Sequence, residues 1–142
     1  VTLLANLAVD AGSIASGTVV DSHMIFLNNP GSGGITNTGV VWEFDGAILG
    51  VMSDNDGLLE VASSGILGAA GTTYPAASFN NRGMESADSY VINGRFLTVN
   101  MRVTQPGDWI RVVSAAPVPE PGTYALMGAG LLALSVARRR KP

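Results

Sequence analysis

Apolar positions in this chain mostly alternate with polar ones. Between Arg95 and Thr104, Leu97, Val99, Met101 and Val103 point one way, while Phe96, Thr98, Asn100 and Arg102 point the other. That period of two predicts a strand with one buried face. Thr18–Leu27 and Trp109–Ser114 are further strand candidates, rich in β-branched and aromatic residues. The first is bounded by Ser16-Gly17 and Asn28-Asn29-Pro30-Gly31. Val40, Trp42 and Phe44 also share a face, which makes Trp42 a core candidate. Asp45-Gly46 then leads into Ala47–Met52, and Asn93-Gly94 joins Ser89–Ile92 to the long strand. Such pairs between apolar runs predict hairpins, because a type I′ turn takes positive φ at both central residues. Pro106-Gly107 predicts the next turn. Residues 1–9 read as a first strand, Leu58–Leu67 as a short helix or a strand, and Gly71–Gly83 as a long loop. Six to eight short strands at this spacing predict an all-β domain over residues 1–114, an antiparallel β-sandwich or jelly roll.

The pattern changes after Ser114. Residues 115–121 form a Pro-rich linker ending in Val118-Pro119-Glu120-Pro121, where prolines fix φ and remove backbone donors. Residues 122–137 carry no charge. As a helix they reach about 24 Å, against a bilayer core of about 30 Å. Snorkelling cations and local thinning can cover a gap of this size. The stretch is apolar on all sides, so packing on a small domain would leave much of it uncovered. A C-terminal transmembrane helix is therefore expected within residues 122–142, with Arg138, Arg139, Arg140 and Lys141 held on the cytoplasmic side as a basic anchor.

Charge follows the same division. Residues 1–116 hold every carboxylate except Glu120, ten in all, against Arg82, Arg95, Arg102 and Arg111. A body so acidic and free of lysine excludes a nucleic-acid partner. The chain has no cysteine, which excludes disulfides, thiolate metal sites and a cysteine nucleophile. Residues 1–9 lack a basic leader region and an A-x-A cleavage site, so an export signal is expected upstream of Val1.

The motif, the apolar stretch and the terminal cations, in this order, resemble the PEP-CTERM sorting signal of Gram-negative bacteria. The resemblance covers residues 118–141. It implies recognition by an exosortase, a membrane cysteine protease-transpeptidase that cuts near Pro-Glu-Pro and passes the body to the cell surface. It also implies transient residence in the inner membrane, then a surface or extracellular location, and an association with exopolysaccharide and biofilm matrix. Asp21-Ser22-His23-Met24-Ile25-Phe26-Leu27-Asn28 and Pro106-Gly107-Asp108-Trp109-Ile110-Arg111-Val112-Val113 are similar to one group of these proteins, and that similarity brings no activity with it.

Within the body, candidate chemistry is sparse. His23 is the sole histidine, and its neighbour Ser22 points to the opposite face of a strand. A Ser-His-Asp hydrolase would need a distant serine, and no G-x-S-x-G elbow is present. Asp54 and Asp56 open an Asp-Asn-Asp-Gly stretch that could contribute to a Ca²⁺ site, but Gly65 stands where an EF-hand needs a bidentate acid. The ordinary alternative is an Asx-Gly turn. Trp109 could stack on a sugar ring at a strand edge. Arg82 with Glu85 or Asp88 reads as a surface pair, and Glu43 with Asp45 as a carboxylate pair without a visible cleft. The expected function is that of a non-enzymatic structural surface or matrix protein with no cofactor. The alternatives are a carbohydrate-binding module and a hydrolase.

Overall fold

The computed structural model describes residues 1–74, 77–104, 107–117 and Met127. Chain order is β1 (Leu7–Val9), β2 (Gly12–Ile14), β3 (Val20–Asn28), β4 (Ile35–Glu43), β5 (Ile48–Met52), α1 (Leu58–Leu67), β6 (Ser89–Asn93), β7 (Phe96–Val103) and β8 (Gly107–Ala115). Every strand pairing is antiparallel. One sheet runs β3-β8-β5, a second runs β4-β7-β6, and β1-β2 is a separate hairpin. Among the described residues the antiparallel all-β expectation holds, with helix α1 added.

The two three-stranded sheets share a core. Leu97, Val99 and Met101 of β7 meet Ile110 and Val112 of β8, Ile25 of β3 and Val51 of β5. The four apolar residues assigned to one face of the long strand are all buried, so the period-two reading of β7 is correct. A second core covers the other face of β3-β8-β5. There Leu3, Leu7, Val9 and Ile14 pack with Val20, Met52, Leu67 and Val113. This second layer explains why β8 is buried on both sides and reads as a near-continuous apolar run.

Leu58–Leu67 is a helix. Glu60, Ser63 and Leu67 face inward at helical spacing. Its N-terminus is capped from outside, with the Leu58 and Leu59 N–H groups donating to the two oxygens of Asp54 at 2.6 and 3.0 Å. Residues 1–9 are a strand only from Leu7, although Thr2 bridges Val19.

Two turn predictions separate. Asn93-Gly94 does lie in a hairpin, between β6 and β7. Gly94 has φ 61° and Arg95 is not in the positive region, which fits a type II′ turn with its glycine first. Asp45-Gly46 is not a hairpin. β4 pairs with β7 and β5 with β8, so this segment crosses between sheets. Gly46 is needed for closeness, since a Cβ there would overlap the Ala115 carbonyl. Trp42 also departs from its core expectation. It lies on the outer strand β4, every residue of which is exposed, and is itself 45% exposed.

No helix among the described residues is long and apolar enough to cross a membrane. The expected transmembrane helix, the Pro-Glu-Pro motif and the basic anchor lie outside the described residues, Met127 apart, as does Pro106 of the expected turn.

Candidate functional site

The outer face of β3-β8, beneath α1 and the segment after it, carries most of the buried polar chemistry. Strand alternation places Trp109 and Arg111 of β8 on this face, opposite Phe26 and Met24 of β3. Arg82 and Arg111, both fully buried, converge on Glu60 of α1. Arg82 donates to Glu60 Oε2 through Nε at 2.9 Å and Nη2 at 2.5 Å, and through Nη1 to the Ala77 carbonyl at 2.7 Å. Arg111 donates through Nη2 to Glu60 Oε1 at 3.3 Å and Ser64 Oγ at 2.8 Å, and through Nη1 to Ser22 Oγ at 2.8 Å. Its Nε is buried without a partner.

Aromatic rings close around the pair. The Arg82 guanidinium lies 4.4 Å from the Trp109 ring centroid, and that of Arg111 lies 5.3 Å from Tyr74. Phe79 meets Trp109 edge-on at 5.8 Å. The reading of Arg82 as a surface pair with Glu85 or Asp88 is therefore overturned. Strand β8 and the helix draw it inward, because Glu60 is the carboxylate that can compensate a buried guanidinium there. Glu43, by contrast, forms an exposed pair with Arg95.

The other end of the shared core holds carboxyl groups. Asp108 is 3% exposed and hydrogen-bonded to Asp88. The carboxylate of Asp88 accepts from the backbone N–H of Arg102 at 2.7 Å and of Glu85 at 3.2 Å. Burial, then the charges of Glu85 and Asp88, then the Asp88 hydrogen bond raise the Asp108 carboxyl to about 7. Burial and the charge of Asp88 also raise Glu85. Tyr90 donates to Asp10 Oδ2 at 3.0 Å and is pushed up to about 12 by burial and that carboxylate.

His23 faces the shared core, its ring tilted against that of Phe44 with centroids 4.8 Å apart. Its Nε2 lies 3.1 Å from Ser114 Oγ, so a distant serine does meet it. Ser114 is buried in the central strand β8. The next N–H, that of Ala115, is spent on the Ala47 carbonyl, leaving no donor there for an oxyanion.

Asp54 commits both oxygens to α1, and Asp56 is exposed and contacts Asn55. No group of three or more His, Asp or Glu residues among the described residues is arranged to hold a metal ion.

The remaining candidate lies in the tail. Residues 117–141 match the family model of the PEP-CTERM protein-sorting motif. The chain carries a PEP-CTERM sorting signal. No curated protein and no solved structure matches the chain. The PEP-CTERM match spans Val118, Pro119, Glu120 and Pro121, the uncharged stretch and the terminal cations, and it supports an exported protein that an exosortase processes.

Proposed function

We propose that this PEP-CTERM protein is cargo of an exosortase and serves at the cell surface or in the extracellular matrix as a structural component, in association with exopolysaccharide, rather than as an enzyme. The observation that carries the reading is the family match over residues 117–141. In this reading the uncharged helix enters the inner membrane and Arg138–Lys141 stay behind in the cytoplasm. The enzyme holds the Pro-Glu-Pro segment at the outer interface and cuts there. The body, an antiparallel sandwich open along β3 and β4, is then released to the surface. A structural role is favoured because the serine that meets the single histidine is buried in a central strand and the N–H that follows it is spent on the Ala47 carbonyl.

The test is replacement of Pro119, Glu120 and Pro121 by alanine in the producing cell. The variant is expected to accumulate uncut in the inner membrane, heavier than the processed body. If it still reaches the exterior at wild-type mass and amount, the proposal fails.

A further inference from the structure

We infer that the outer face of β3-β8 is a binding groove for an uncharged polysaccharide chain, independently of how the protein is sorted. Two contiguous cavities, of about 450 and 510 Å³, lie along β3 and share Met24 and Tyr74. Their wall is the alternate set of β3 side chains from Val20 to Asn28, which spans about 26 Å at strand rise. This is a trough, suited to an extended chain rather than to one small molecule.

The lining matches a sugar polymer. Phe26 is 63% exposed and sits directly across from Trp109, so two flat rings stand side by side on one face. Tyr74 faces them from the other wall. Such rings offer apolar planes for the C–H faces of pyranose rings. They are firmly placed, because guanidiniums back both Trp109 and Tyr74. Hydroxyl-binding groups flank the rings. Asn28 and Thr72 lie at one end, and Ser22 and Asp21 at the other. Arg111, whose buried Nε has no partner, lines the second cavity, so a donor beside it is still to be satisfied.

Charge selects within the class. The body holds ten carboxylates against four arginines, two of which are buried with Glu60, and Asp21 lines the groove itself. Such a surface repels polyuronates and accepts neutral hexose or pentose chains. An apolar helix would fit poorly, because it would strand Asn28, Asp21 and the Arg111 donor.

The experiment uses the full chain in a sugar-free detergent, with Trp42→Phe in the background so that Trp109 is the one tryptophan reporter. Cellohexaose, laminarihexaose, mannohexaose and xylohexaose are titrated beside a hexauronate. At least one neutral oligomer is expected to shift Trp109 emission saturably, with Phe26→Ala and Asn28→Ala each weakening binding about tenfold. Phe26 is exposed, so its loss leaves the fold intact. The inference is overturned if no neutral oligomer changes the emission, if the hexauronate alone does, or if Phe26→Ala binds as tightly as the parent. It is also overturned if the sugars bind only after the apolar tail is removed, since the tail would then be the occupant.

Discussion

Glu60 is the residue on which the buried polar chemistry turns. It is shared by Arg82 and Arg111, and all three are out of water. Removing the carboxylate charge leaves two guanidiniums in a medium that does not solvate them, a penalty of about 3–5 kcal/mol. Glu60→Gln is therefore expected to lower the denaturant midpoint strongly, whereas Glu43→Gln, in an exposed pair, should change stability by less than about 1 kcal/mol. Equal effects would contradict this assignment. Asp108 gives a second prediction. Its carboxyl is raised from the ordinary aspartate range to about 7, so the folded state holds a proton that the unfolded chain releases. That contribution to stability is complete below about pH 4 and is lost as pH rises through about 7. Glu85 and Asp88 face the same proton, and Arg102 lends only its backbone N–H to the cluster. Thermal melts from pH 4 to 8 should show Asp108→Asn declining less with pH than the wild type. Parallel declines would show that Asp108 does not bind that proton.

Among the elements, two glycines with similar local sequence do different work. Gly94 supplies a positive φ in the β6-β7 turn, so Gly94→Ala should cost about 1–2 kcal/mol and Gly94→Asn less, because asparagine tolerates that region. Gly46 supplies space against the Ala115 carbonyl, so alanine and asparagine there should both destabilise, by more than their counterparts at 94. Urea titrations of the four variants check this, and a harmless Gly46→Asn would restore the hairpin reading. The same contrast shows what is legible in the sequence. Alternation in β7 states its buried face outright, because one side of that strand is core and the other is exposed. Asp45-Gly46 carries a hairpin signature in local sequence, while its real constraint is the carbonyl of Ala115, at the far end of β8. Alternation alone puts Trp42 in the core, but its strand's position at a sheet edge is a property of pairing, which local sequence does not carry. The buried triad does leave a trace. Glu60 is the one charge between Asp56 and Arg82, set in an apolar helical window, and Arg111 interrupts an apolar strand.

At the scale of the whole molecule, body and tail are built to different ends. Both cores draw on residues from Leu3 to Val113, and β8, the central strand of its sheet, ends at Ala115. The sorting match begins two residues later, at Pro117. The body is therefore expected to fold without the tail, so that removal of the tail would leave the product intact. A chain ending at Pro117 is expected to unfold in urea within about 0.5 kcal/mol of the full-length protein, with the same cooperativity, while losing its partition into membranes. Far-UV circular dichroism and vesicle flotation of the two forms separate these properties. A truncated chain that melts markedly earlier would mean that the tail packs on the body and that its removal is not a clean release. A truncated chain that still floats with vesicles would place the membrane contact in the body, on surfaces such as exposed Phe26 or Trp42. The pairing of an undiminished fold with lost flotation is the result required of a domain whose membrane partition lies in residues beyond its last strand.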